Sequence, residues 1–117
     1  MELKKLTKED VKITLAALQE DTSIEGAASE LGEVKDDFIK IVREARKKSK
    51  WGWCTVRLEV TYKGFSGTAY LGECSYASKE DFISNSGYYE SMLNDALADI
   101  NGVVSRRYDE IKGLLVS

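Results

Sequence analysis

From Trp51 to Tyr76 the chain alternates between apolar and polar positions. Cys54, Val56, Leu58, Val60 and Tyr62 fall on one side, and Thr55, Arg57, Glu59 and Thr61 on the other. A period of two predicts a half-buried antiparallel strand. Lys63-Gly64-Phe65-Ser66-Gly67 supplies a turn, and a second strand returns from Thr68. Pairing Tyr62 with Thr68 sets Val60 against Tyr70 and Val56 against Cys74 on the buried face. The other face then pairs Arg57 with Glu73, a favourable cross-strand contact. In this register Cys54 and Cys74 are diagonal neighbours. A three-residue loop would set the two cysteines directly opposite but put Arg57 against Leu71, so the register with the charge pair is preferred.

Elsewhere the period is helical. Thr7 is placed to cap a helix, Asp10 is at its third position, and Leu6 with Val11 forms a staple. Val11, Leu15 and Leu18 share a stripe, which predicts a first helix over Lys8 to Glu20. Residues 21–32 read as a loop with one short turn. A second helix runs from about Val34 to Ser49, with Val34, Phe38, Ile41, Val42 and Ala45 as its apolar face. A short helical turn over Lys79–Ile83 precedes a long helix beginning near Gly87. Tyr89, Leu93, Ala96, Ile100, Val103, Val104, Tyr108, Ile111 and Leu115 make one stripe along it, through Gly102, a residue that weakens helices. The order predicts an α+β fold: a small antiparallel sheet with a β-hairpin core, packed against a long C-terminal helix, with N-terminal helices. Two strands alone are marginal, so a third strand or a dimer-completed sheet is expected. Residues 1–117 read as a single compact domain, with 1–22 a helical N-terminal extension and 24–117 the core.

Composition narrows the chemistry. With 117 residues, 43% hydrophobic and 32% charged, the chain has the balance of a globular domain. A net charge of −3 provides no global field for nucleic acid, which would need a local patch. There is no apolar run of about 18 residues, and the charged start is unlike a signal peptide, so no membrane association and a cytoplasmic location are expected. Histidine is absent, which removes His-based triads, Cys–His dyads and imidazole zinc sites. Cys54 and Cys74 alone make a poor zinc site and read as buried thiols. Asp95 and Asp99 share a helix face but lack a third carboxylate. Gly64, Gly67 and Gly72 precede no helix and form no phosphate cradle. No cofactor, metal or convergent catalytic set is expected, and the balance is against an enzyme.

The remaining candidate is a surface. Arg43, Arg46, Lys47, Lys48 and Lys50 crowd the end of the second helix, and Trp51 and Trp53 follow. Cations beside exposed aromatics hold phosphates and stack bases. Equally, cations at a helix C-terminus complement its dipole and stay solvated while the tryptophans pack inward. Trp53, if left on the second sheet face with Thr55, Ala69 and Leu71, would anchor a protein partner or a homodimer; a covering helix would bury it. Tyr88, at the start of the last helix, is an amphipathic edge residue open to binding. Three readings stand: a protein that occludes a macromolecular partner, a nucleic-acid-binding module, and a structural homo-oligomer.

Several segments together resemble a group of small phage- and prophage-encoded proteins to which no chemistry is assigned. They are Trp51-Gly52-Trp53-Cys54, Tyr70-Leu71-Gly72, Cys74-Ser75-Tyr76, Glu80-Asp81-Phe82, Gly87-Tyr88-Tyr89 with Met92, and Ala96-Leu97-Ala98-Asp99, preceded by Ile24-Glu25-Gly26-Ala27. The resemblance spans about Ile24 to Asn101 and leaves Lys8 to Glu20 outside it. It implies an accessory protein acting inside a bacterial cell. Joined to the candidate surface, the expectation is a protein that binds a host macromolecule, a protein in the first instance, and occludes or modulates it, for example as an inhibitor of defence. The resemblance transfers no site residues.

Overall fold

The structure, a computed structural model, describes residues 3–116. It is an α+β fold: a three-stranded antiparallel sheet in the order β1-β2-β3, with β1 at Lys12–Leu18, β2 at Cys54–Tyr62 and β3 at Phe65–Cys74. The helices are α1 (Ile24–Ala27), α2 (Lys35–Lys48), α3 (Lys79–Asn85) and α4 (Tyr89–Val116). Backbone contacts divide the chain into two compact units. Among the described residues, one comprises 3–14, 58–69 and 90–116, the other 15–57 and 70–89.

The third strand comes from an unexpected segment. Residues 12–18 were expected within a helix from Lys8 to Glu20, and they are β1. The helix-start signal is real but closes on itself. Asp10 accepts hydrogen bonds from the Thr7 N–H (2.8 Å) and hydroxyl (3.0 Å), while its own N–H donates to the Thr7 carbonyl (3.0 Å). That turn is followed by Val11, Ile13 and Thr14, whose branched side chains favour a pleated strand. Val11, Ile13, Leu15 and Ala17 also alternate, so two periods compete in one stretch, and pairing with β2 selects the strand.

Asp10 additionally binds Lys4 (2.8 Å), and this bond, with those from Thr7, pulls its carboxyl from 3.8 to about 2. A depressed carboxylate contributes stability that is fully present above its unfolded pKa and lost as pH falls through the folded one. We therefore expect the urea midpoint to fall between about pH 4 and pH 2, and to fall less steeply in Asp10→Asn. Equal slopes in the two proteins would remove Asp10 from the acid response.

The hairpin turn is tighter than expected. Only Lys63 and Gly64 separate β2 from β3, both with positive φ (46° and 84°), the two-residue turn whose twist suits a hairpin. Tyr62 therefore opposes Phe65, and counting along the ladder sets Val60 against Gly67 and Arg57 against Tyr70. The expected pairings of Tyr62 with Thr68 and Arg57 with Glu73 are replaced. Gly67 is buried and Tyr70 is exposed, the reverse of the expected face. Near the end of β3, Glu73 adopts φ 55°, which reverses the alternation and turns Cys74 inward. Burial of Cys54 and Cys74 is as expected, by a different route.

In the first unit α4 lies on the sheet with Met92, Leu93, Ala96 and Ile100 buried beside Leu58 and Val60. An ideal Cβ at Gly67 would stand 2.3 Å from the Ala96 carbonyl oxygen, so helix and strand backbones touch there. Thr68 N–H donates to Asp99 (2.9 Å), so this carboxylate, expected on a solvated helix face, is tied to β3. Asn101 holds the N-terminal segment by donating to the Leu6 carbonyl (3.0 Å) and accepting from its N–H (2.8 Å). The helix continues unbroken through Gly102.

In the second unit the core is Ala28, Val42, Trp51, Trp53, Cys54, Val56, Cys74 and Phe82. α2 turns Val42 inward, with Phe38 and Ala45 half-buried, and leaves Val34 and Ile41 exposed. The expected five-residue face is thus split down its middle.

Candidate interaction surface

Trp51 and Trp53 do not form a surface. They are 8% and 9% exposed. Ser49 leaves α2 in an extended conformation, and its hydroxyl accepts from the Trp51 N–H (3.1 Å), starting a single 3-10 turn over Lys50–Gly52. That turn drops Trp51 against Phe82, with ring centroids 6.1 Å apart, and Phe82 meets Tyr76 edge-on at 5.1 Å. The Trp51 carbonyl accepts from the Tyr76 N–H (2.8 Å). The Trp53 indole N–H donates to the Thr22 carbonyl (2.9 Å), so the loop after β1, not a helix, covers that ring. Rings buried to this degree leave no face on which a base could stack, and the single donor of Trp53 is already satisfied inside the fold.

The same loop carries a carboxylate that ties three segments together. Glu20 accepts from the Thr55 hydroxyl (3.0 Å), the Thr22 N–H (2.9 Å) and, by a short bond, the N–H of left-handed Glu73. The backbone donors at Thr22 and Glu73 hold its carboxyl below the usual carboxylate range. Glu20 is therefore a structural brace on the sheet face where the Arg57–Glu73 pair was expected. Arg57 Nε lies buried there without a hydrogen-bond partner.

Cations at the end of α2 are exposed, but not all are free. Arg43 pairs with Glu25, and Lys47 with Glu44 (3.1 Å). Arg46, Lys48 and Lys50 make no ion pair among the described residues. The structure thus retains the expected cluster of positive charge while removing the aromatics that were to accompany it.

A different feature stands out beside the cations. Lys40, Ile41, Glu44, Ala45 and Lys48 of α2 face Ser75, Tyr76, Ala77 and Asp81 across an open groove of about 670 Å³. Its floor is apolar, and Ile41 is 68% exposed. Its rim alternates in sign, with Lys40 and Lys48 against Glu44 and Asp81. Asp81 is fixed in place, accepting from the Ala77 N–H (2.9 Å) and from the Asn85 amide (2.8 Å), bonds that hold its carboxyl ionised below the ordinary range. Ser78 caps α3 by accepting from the Asp81 N–H (3.1 Å), while the Asp81 carboxylate reaches back to the N–H of Ala77, one residue before the cap, so the wall of the groove is a fixed helix start. Tyr88 is half-exposed and near enough to Tyr76 to help burial raise the latter's pKa. It does not line the groove.

Burial pushes the Cys54 thiol up to about 11 and raises Cys74, so both are protonated near neutrality and poor nucleophiles. Among the described residues no three carboxylates or thiols cluster as a metal site. No helix among them is long and apolar enough to cross a membrane. The sequence-predicted residues therefore separate into a solvated basic helix end, two core tryptophans and a peripheral tyrosine. Ile41 was assigned to a buried face, and what exposes it is how α2 is rotated about its axis, which periodicity does not encode.

No family model, curated protein or solved structure matches this chain.

Proposed function

We propose that this protein is a non-enzymatic binding module that docks a protein partner in the α2 groove and occludes the partner surface it covers. The observation that carries this reading is the exposed Ile41 on an apolar floor between charges of both signs. An apolar centre with a polar rim is the anatomy of a protein contact. A nucleic-acid site would instead present one sign of charge with open aromatic faces. The resemblance to phage-encoded accessory proteins gives the reading its setting: the partner is a host protein in a bacterial cell, and covering it modulates host machinery, defence included.

The test compares the wild-type chain with Ile41→Asp as baits in a nuclease-treated bacterial lysate. Ile41 is exposed, so the variant should fold with an unchanged melting temperature. We expect a stoichiometric protein bound by the wild type and reduced at least about tenfold with the variant, the loss of one contact worth about 1.4 kcal/mol. A partner retained equally by both would reject the groove.

The free cations Arg46, Lys48 and Lys50 favour nucleic acid as the second reading. Under it, binding would vanish with nuclease, fall steeply with salt and ignore Ile41→Asp.

A further inference from the structure

The segment ahead of β1 folds largely upon itself. Asp10 gathers the Thr7 N–H, the Thr7 hydroxyl and the Lys4 ammonium, and returns its own N–H to the Thr7 carbonyl, so residues 4–10 close into a hook. Among the described residues 3–10, Leu6 is the one that is buried, at 6% exposure; Lys5, Thr7, Lys8 and Glu9 around it are exposed. Leu6 is also where the hook meets α4. The Asn101 amide accepts from the Leu6 N–H (2.8 Å) and donates to the Leu6 carbonyl (3.0 Å). It also donates to the Leu97 carbonyl one turn back (2.9 Å), which fixes its orientation. Among the described residues no hydrogen bond joins the backbone of 3–10 to backbone elsewhere in the fold.

We propose that the Leu97–Asn101 turn of α4 is a binding site for an extended, leucine-bearing peptide, and that the hook is its resident and releasable occupant. The occupant seated there shows what the site takes. A side-chain amide that pairs with both main-chain groups of one residue reads backbone, as a strand edge does, and is indifferent to sequence. Burial of the Leu6 side chain then sets the register and selects an aliphatic residue. An open groove of about 580 Å³ lined by Thr7 and Glu9 of the hook and by Leu93, Leu97 and Ala98 of α4 lies beside it, so the hook does not fill its seat.

Release follows from what holds the hook. One buried side chain and one amide work against the conformational entropy of the whole docked segment, while the bonds around Asp10 survive its departure. Segments held this way open locally without unfolding the domain. Tethered beside its seat, the hook has an effective concentration on the order of 10⁻³ M. A docked hook therefore requires a dissociation constant below that value in trans. One on the order of 10⁻⁴ M leaves the seat vacant about a tenth of the time.

Hydrogen exchange on the unaltered chain reads the vacancy at the Leu6 N–H. Protection there should be only about tenfold, and at least about a hundredfold greater at the Ile100 N–H within α4. A synthetic peptide of residues 3–11 is then titrated while the Asn101 side-chain amide resonances are followed. It should bind the Leu6→Asp protein, whose own hook is released, with a dissociation constant on the order of 10⁻⁴ M, and the wild type about tenfold more weakly. The same peptide carrying Leu6→Asp should bind neither protein, and circular dichroism should show the helix content of the Leu6→Asp protein kept. Leu6 protected as strongly as Ile100, loss of the fold in Leu6→Asp, or a peptide that binds both proteins equally or neither would each overturn the proposal. None of these outcomes bears on the α2 groove, which is in the other unit.

Discussion

Gly52→Ala should be the most damaging single-methyl change in this protein. The 3-10 turn after α2 lays the Gly52 backbone directly on the last turn of that helix, and an ideal Cβ would stand 2.2 Å from the Ala45 carbonyl carbon and 2.4 Å from the Arg46 nitrogen. Both neighbours are backbone, so no rotamer change can make room. The turn must lift, and lifting it pulls Trp51 from Phe82 and breaks the bond from the Tyr76 N–H to the Trp51 carbonyl. Overpacking of this kind costs about 3 kcal/mol or more, a large share of the 5–15 kcal/mol that a small domain has. The melting temperature should fall by more than about 12 °C. Gly113→Ala is the control. It adds the same methyl in a helix interior where nothing lies within 4 Å, and should raise stability by about 0.5–1 kcal/mol. A Gly52→Ala protein melting within about 3 °C of wild type would show that the turn is not seated on α2 as described.

Gly67→Ala should be nearly as severe in the other unit, for a related reason. A Cβ there meets the Ala96 carbonyl oxygen at 2.3 Å and the Ile100 nitrogen at 2.5 Å. Separating strand from helix to admit it would stretch the hydrogen bond from Thr68 N–H to Asp99 and open a gap beside Ile100, which is fully buried. Lost contacts across such a gap add to the clash, and about 3 kcal/mol is again expected. The result also discriminates between registers. In the expected five-residue turn Gly67 is a loop residue and tolerates alanine; in the two-residue turn it is the closest point between β3 and α4. Urea denaturation of the single variant decides between them.

Both predictions rest on backbone proximity, and that marks where sequence reasoning ran short. The alternation of β2 was legible because each side chain reports its own face, and the structure buries Cys54, Val56, Leu58 and Val60 as that pattern requires. The long last helix was legible from a stripe sustained over many turns. The returning strand β3 was legible too, but its register was not, because the deciding residues were Lys63 and Glu73, two non-glycine residues at positive φ that composition gives no reason to expect. One shortened the turn and the other restored the inward direction of Cys74. The segment at 12–18 carried both periods, and only the presence of a strand needing a neighbour resolved it.

The candidate surface followed the same division. The basic run at the end of α2 was visible as charge, since solvated cations need no partner to be where they are. The tryptophans beside it were ambiguous, because a large ring with one polar edge is equally at home on a surface or in a core. A carbonyl supplied by Thr22, 31 residues away, placed Trp53 in the core. By itself the sequence determined the α+β class, the central strand, the last helix and the absence of imidazole chemistry, all of which follow from local pattern and composition. Only the tertiary structure decided which segment became the third strand, which face of β3 turned inward, and that Ile41 rather than Trp53 meets solvent. Each of these depends on contacts between residues distant in the chain, where small differences in packing outweigh what any local pattern prefers.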